Sequence, residues 1–165
     1  MKIACLLADG FEDIEAIGTT AILRRSGMSV DYISVFNQEV QTGSFGTKVL
    51  TDKLIKDLNV SDKTVLTIVK SFKELDKWLF AICAGPTVLG ILGYLDGIKY
   101  TSFPTTEEFM PKGIKVNQPA VWSNKIVTGA GAGAVTEFAL KIIEAVYGIE
   151  KANQIQERIL FRVFE

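Results

Sequence analysis

Histidine is absent from this chain of 165 residues. That absence removes Ser-His-Asp and Cys-His catalysis, histidine-ligated zinc and histidine-based pH switching. A catalytic base here has to be a carboxylate, a lysine, a tyrosine or a thiolate. Cysteine is scarce as well: Cys5 and Cys83 are the two present, far apart in sequence. With no export signal they read as reduced thiols of a cytoplasmic protein, and a disulfide between them is disfavoured. The N-terminal Met1 to Gly10 has one lysine and a short apolar run closed by Asp-Gly, which is a strand and a turn, too short for a signal-peptide core. No apolar stretch approaches bilayer length, so a membrane span is not expected. Charge of one sign is not concentrated either. The 18 basic and 19 acidic residues are scattered and leave a net charge of −1. That pattern argues against nucleic acid or an anionic membrane as the main partner.

What is present is a globular composition, 48% hydrophobic and 22% charged, at the size of one domain. No internal repeat, low-complexity tract or linker interrupts it. Ile3 to Leu7 reads as a strand buried on both faces, and Asp9-Gly10 turns the chain. Ile14, Ile17, Ala21 and Ile22 follow helical spacing up to the Arg24-Arg25-Ser26-Gly27 stop. Ser29 to Val35 is the next strand, so the opening is a strand–helix–strand unit of a parallel sheet. Gln41 to Leu50 reads as a hairpin or edge excursion, and Leu54 to Val60 as a connector. Thr64 to Lys77 has strand propensity, yet Val65, Ile68, Val69, Phe72 and Leu75 share one helical face and charges occupy the other, which favours a helix. Leu79 to Ile82 is a buried strand, followed by a helix with Pro86 in its first turn. Short strands follow at Tyr100 to Ser102, Val116, Ala120 to Trp122 and Lys125 to Thr128. Val135 to Tyr147 is an amphipathic helix, and Lys151 to Phe164 is helical, then extended.

Three groups of residues carry candidate chemistry. Cys83 lies where the strand ending at Ile82 meets the helix, flanked by Ala81, Ala84 and Gly85, the small residues that a nucleophile elbow needs. Main-chain N–H groups of the following helix would point at the sulfur there, and the dipole would favour a thiolate. The competing reading is a buried small hydrophobe. Glu12, Asp13 and Glu15 follow the first strand, at the end of a sheet where functional loops gather. Glu12 and Asp13 read as ordinary helix-start acids, whereas Glu15 can point across the top of the sheet and form a coupled pair with Cys83. Gly129-Ala130-Gly131-Ala132-Gly133 lacks the spacing of a phosphate or dinucleotide loop and reads as a tight strand-to-helix turn, with nucleotide binding the weaker alternative.

These residues resemble the ThiJ/PfpI superfamily, in particular the branch of the Parkinson-disease-associated deglycase and its bacterial relatives. The resemblance rests on Ala8 to Ala16 with Leu23 to Gly27, on Ala81-Ile82-Cys83-Ala84-Gly85-Pro86-Thr87-Val88-Leu89, and on Gly131-Ala132-Gly133 before Glu137 to Leu140. It implies an α/β, flavodoxin-like three-layer sandwich with a mostly parallel central sheet, usually a homodimer, with Cys83 reactive and Glu15 its acidic partner. The peptidase-like branch carries a histidine directly after the cysteine; Ala84 stands there, so peptidase chemistry is not expected. Some relatives place a histidine in the segment matching Thr101 to Pro104, and here Phe103 and Pro104 give a more apolar pocket beside Gly85. The resemblance also implies a central strand with a Pro-Gly-Gly-type loop between Asp62 and Lys63, which the sequence does not contain. We expect that stretch to have been omitted from the chain, and a bonded Cα spacing of about 3.8 Å between Asp62 and Lys63 would count against omission.

The leading expectation is a cysteine-dependent enzyme acting on small reactive carbonyls such as methylglyoxal or its adducts. Cys83 is the nucleophile, Glu15 the acid and base, and the Ala84 N–H part of the oxyanion site, with no metal or organic cofactor implied. The rival is a non-catalytic redox sensor or protective protein in which Cys83 is reversibly oxidised. A flavodoxin-like binding domain without chemistry is the third.

Overall fold

The computed structural model of the protein describes residues 1–58 and 64–162. Alternation in the first strand, β1 (Lys2–Leu7), sets the layers. Ile3 and Cys5 pack into one apolar cluster and Ala4 and Leu6 into another, as period-2 side-chain geometry requires. After β1 come helix α1 (Asp13–Arg25), strand β2 (Ser29–Ser34), the antiparallel hairpin β3 (Val40–Thr42) and β4 (Lys48–Leu50), and β5 (Lys53–Leu54). Short 3-10 turns span Ile55–Asp57, Glu107–Phe109 and Ala132–Ala134. Helix α2 (Val65–Glu74) starts at Thr64, whose side chain accepts the Thr67 N–H. Then follow β6 (Leu79–Ile82), α3 (Pro86–Ile91), β7 (Lys99–Tyr100), β8 (Ile114–Lys115), β9 (Ala120–Ser123) and β10 (Ile126–Gly129). Helices α4 (Val135–Tyr147) and α5 (Ile149–Arg158) close the fold.

The strands form a mostly parallel α/β sandwich of the flavodoxin-like type, and among the described residues the main sheet is split in two. One half has the order β1-β2-β5 and the other β6-β10-β9. β1 is parallel to β2, and β6 is parallel to β10; β9 runs antiparallel at its edge. On one face α1, α4 and α5 bury Ile22, Leu23, Phe138, Ile142, Ile143 and Ile155 against Val30 and Val127. On the other, Ile68 of α2 meets Ile33 and Ile55, and Leu89 of α3 meets Leu79, Tyr100 and Ile126. Both halves therefore share one set of covering helices.

Several expectations are corrected in detail. Ile14, Ile17 and Ala21 share a helical face, but that face of α1 is exposed, Ile14 at 59%. The buried face is carried by Thr19, Thr20, Ile22 and Leu23, because α1 approaches α4 so closely at Gly18 that a Cβ there would come 2.9 Å from Val135 Cγ1. The strand expected at Tyr100 to Ser102 ends at Tyr100, since the Thr101 N–H turns to Thr128 Oγ1 at 2.9 Å. The pairing expected at Val116 falls on Ile114–Lys115. Residues 159–162 after α5 form a turn, with Leu160 and Arg162 at positive φ, instead of running extended. Asp62 and Lys63, where the additional strand and loop are expected, lie outside the described residues, as does Phe164.

Candidate active site

The C-terminal ends of β1, β6 and β10 place three loops side by side, and Cys83, Glu15 and Gly131 meet there. Cys83 follows β6 directly. Its N–H donates to Gly129 O at 3.0 Å and its carbonyl accepts from the Phe103 N–H at 2.8 Å, so both main-chain groups are held across the turn. The Gly85 N–H returns to Ile82 O at 2.8 Å and closes the corner. Held in this way, Cys83 has φ +61°, a left-handed conformation that costs a non-glycine residue of order 1–3 kcal/mol. Pro86 then starts α3, with Ala84 and Gly85 exposed beside the sulfur.

Glu15 arrives from the first turn of α1. Glu12 caps that helix by accepting the Glu15 N–H at 2.7 Å, which fixes where the Glu15 side chain leaves the backbone. Gly131 looks onto the whole cluster. A methyl group built on it would lie 3.6 Å from Phe103 Cδ2, 3.8 Å from Glu15 Oε1 and 4.0 Å from Cys83 Sγ. Phe103 is half exposed, and its carbonyl accepts from Thr106 Oγ1 at 2.8 Å and Lys115 Nζ at 3.4 Å. Pro104 is exposed at the rim.

The electrostatics are those of two acids in one partly dry site. Burial raises the Glu15 carboxyl above its usual range and the Glu12 charge adds to it, while Cys83 and the Ala132 N–H pull it down. Burial also dominates at Cys83; the hydrogen bond and charge of Glu15 follow, and the thiol is pushed up to about 11 against the pull of the Ala84 N–H. The helix dipole argument from sequence favours a thiolate, and the structure reverses it: α3 has six residues, and burial and Glu15 outweigh its N–H groups. The two groups therefore titrate as a coupled pair, with the Cys83 sulfur held as a thiol at neutral pH. Glu15 Oε1 is buried and among the described residues no group meets it in good hydrogen-bonding alignment, although the thiol stands beside it.

Sequence reasoning missed two contributors. Gly131 and Ala132 lie in the run read as a tight turn, which it is, but the turn also supplies the open face and the N–H that Glu15 uses. Their position after the C-terminal end of a central strand was the available signal. Asp13 is no mere helix-start acid, because it accepts the Phe45 and Thr47 N–H groups at 3.0 and 3.1 Å and ties the β3–β4 hairpin to α1. Cys5 lies in β1, unbonded to Cys83, and its thiol is likewise raised to about 11 by burial. A groove of about 480 Å³ between α4 and α5 contains neither Cys83 nor Glu15. Its charges are already paired, Glu137 with Arg162 and Lys141 with Glu144.

A half-exposed cysteine at a strained strand-to-helix corner, with a carboxyl alongside, defines a nucleophile-elbow protein on a flavodoxin-like sandwich. The sequence pattern of the DJ-1/PfpI family matches residues 1–68 and 58–145, and the chain belongs to that family. Protein DJ-1 homolog A of Arabidopsis thaliana is 32% identical over 181 residues, covering 94% of this chain and 45% of that protein. The chain thus spans less than half the length of that relative, and the same holds for homolog B, at 42%. The Caenorhabditis elegans glutathione-independent glyoxalase DJR-1.2 is 28% identical over 163 residues, 87% of each chain. The solved structure of oxidized Toxoplasma gondii DJ-1 superposes with a TM-score of 0.88 at 31% identity, covering 98% of both chains.

Proposed function

We propose that the protein is a cysteine-dependent enzyme acting on small reactive carbonyls, with Cys83 as nucleophile and Glu15 as its acid and base. The observation that carries this is the Cys83 elbow at φ +61° with Glu15 Oε1 beside the sulfur and Gly131 leaving the space above both open. The glyoxalase name of the nematode relative supports the substrate class. For an α-oxoaldehyde, Glu15 takes the thiol proton as sulfur bonds to the aldehyde carbon. The oxygen that gains negative charge faces the Ala84 N–H and is protonated to a hemithioacetal. Glu15 then removes the hydrogen from that carbon and returns a proton to the neighbouring one, leaving a 2-hydroxy thioester. Water cleaves the thioester, releases the hydroxy acid and restores the thiol. Oxidation state is conserved over the whole sequence, since one carbon is oxidised as its neighbour is reduced, and none of these steps calls on a metal or organic cofactor. Because burial holds Cys83 as a thiol, its proton has to leave as sulfur attacks, and Glu15 is the acceptor beside it. Peptidase chemistry is disfavoured, because Ala84 cannot serve as a base.

A second reading is a redox sensor or protective protein in which peroxide converts Cys83 to a sulfenic or sulfinic acid. The unpartnered Glu15 Oε1 favours it, since a protonated carboxyl would donate to an oxidised sulfur. We further infer a cytoplasmic homodimer. Among the described residues no helix is long and apolar enough to cross a membrane. The deciding experiment measures lactate formed from methylglyoxal by wild type, Cys83→Ser and Glu15→Gln, alongside peroxide-dependent mass shifts. Enzymatic turnover lost in Cys83→Ser and reduced about 10²–10⁴-fold in Glu15→Gln is expected. No turnover in wild type, with a mass gain at Cys83 under mild peroxide, replaces the enzyme with the sensor.

A further inference from the structure

Among the described residues, the two half-sheets face each other through unpaired edges. β1 pairs with β2 and β6 with β10, and among the described residues neither has a second strand neighbour. Main-chain groups of alternate residues in a strand turn to opposite sides. Met1 O and Leu7 O accept from the N–H groups of Ser29 and Val35, so Ala4 and Leu6 turn theirs away from β2. Leu79 and Cys83 donate to Lys125 O and Gly129 O, so Phe80 and Ile82 turn theirs away from β10. These two open edges lie under the same roof and floor. Ile3, Cys5, Phe80 and Ile82 pack into the cluster built on α4, while Phe72 of α2 packs into both the cluster holding Ala4 and Leu6 and the one holding Ala81. Glu15, on the helix after β1, and Cys83, directly after β6, come together beyond their C-terminal ends.

The walls around this space are under-buried. In a sheet covered on both faces a central strand is closed to solvent, yet Ile3 to Leu6 and Phe80 to Ile82 are each only half-buried. The apolar face of α2 is also short of partners: Ile68 is its one fully buried residue, with Val69 and Phe72 half-buried and Leu75 exposed at 66%. The family pattern matches in two overlapping pieces that meet between residues 58 and 68, and the Arabidopsis match extends over 181 residues, more than this chain possesses. Both support relatives carrying, inside their own chains, residues that this chain does without.

We propose that the β1–β6 slot is a binding site for one extended peptide segment, which enters as a strand parallel to both and joins the two half-sheets. The occupant is four to six residues long, matched to β6 and β1, and apolar at every position, because α4 covers one of its faces and α2 the other. Main-chain bonds to Ala4, Leu6, Phe80 and Ile82 hold it, and its C-terminal end emerges beside Cys83.

Amide hydrogen exchange, resolved residue by residue, tests this with a synthetic peptide of five alternating valines and isoleucines between lysine pairs. In the free protein, Ala4, Leu6, Phe80 and Ile82 exchange fast while Cys5 and Ala81, bonded within their half-sheets, exchange slowly. Saturating peptide slows the four fast amides by about tenfold or more and raises the melting temperature; a peptide with prolines at its second and fourth core positions does neither. Equal protection of Ala4 and Cys5 in the free protein overturns the proposal, because the edge is then already paired. So does unaltered exchange at saturating peptide. Protection of the four amides that grows with protein concentration alone also overturns it, and assigns the slot to a second copy.

Discussion

Glu15 raises the affinity of Cys83 for its proton while the thiol lowers that of Glu15, and the size of that coupling is open to direct measurement. Glutamine at position 15 keeps the shape of the side chain and removes its charge. Of the causes that raise the Cys83 thiol, burial stays and both contributions of Glu15 shrink. The pH profile of Cys83 alkylation by iodoacetamide should therefore have a midpoint near 11 in wild type and a clearly lower one in Glu15→Gln, with faster alkylation at pH 8. An unmoved midpoint would show that the carboxyl and the thiol do not interact. The variant thus gains simple thiol reactivity as it loses turnover, a pattern that mere unfolding of the site does not produce. Cys83 and Glu15 were legible in the sequence because the small residues around the elbow and the acid at a helix start are local signals. The protonation state was not legible. It depends on burial and on a contact between residues 68 positions apart, and those favour the thiol over the thiolate that the helix start alone suggests.

The helices and strands that the sequence predicts correctly are those whose own side chains decide the matter. α2 follows its apolar face even though Val65, Thr67, Ile68 and Val69 favour a strand, and α4 covers the range its periodicity marks out. The exposed stripe of α1 misled, since Ile14 and Ile17 are spaced like core residues and only the close approach at Gly18 decides which face is buried. A similar long-range constraint holds the β3–β4 hairpin. A Cβ at Gly43 would lie 2.4 Å from Asp13 Oδ2, so Gly43→Ala displaces the carboxylate that accepts from Phe45 and Thr47. The variant should melt several degrees lower at pH 7. Asp13 is held below the usual carboxylate range, first by the Thr47 hydroxyl and then by the Phe45 N–H. A depressed acid stabilises above its unfolded pKa, near 3.9, and loses that contribution as pH falls through the folded value. The gap between wild type and Gly43→Ala should therefore be full at pH 7 and narrow below about pH 4. A gap independent of pH would mean that the methyl group acts through packing alone.

At the scale of the whole molecule, the mostly parallel α/β architecture is legible from strand–helix alternation, whereas the division of its sheet among the described residues has no local trace, and its one signal in the sequence is the central strand that the family resemblance implies and the chain lacks. The surface carries one more consequence of folding. Asp13 pins the hairpin tip to the start of α1, and Phe45 on that tip is exposed at 80%, as Ile14 and Ile17 on the helix are exposed. Leu50, exposed at 70%, extends the apolar area along the hairpin. Scattered exposed apolar residues are ordinary, but several on two elements locked together are the kind of surface an isologous interface uses. We propose this face as the interface of the homodimer put forward above, one α1 and hairpin against the same elements of the second copy. Sedimentation velocity at ten micromolar should show a dimer for wild type, and Ile17→Glu or Phe45→Glu should weaken association at least tenfold while leaving the circular dichroism unchanged. Each glutamate would have to be buried without a partner in the dimer, a cost of several kcal/mol that the monomer avoids. A wild-type protein that stays monomeric at that concentration, or a dimer indifferent to both substitutions, moves the interface elsewhere. Glu15 lies within one turn of both Ile14 and Ile17, so the dimer would also cover the turn that carries the acid of the site. Monomeric variants should then turn over methylglyoxal more slowly, with the iodoacetamide midpoint of Cys83 lowered as Glu15 becomes more solvated.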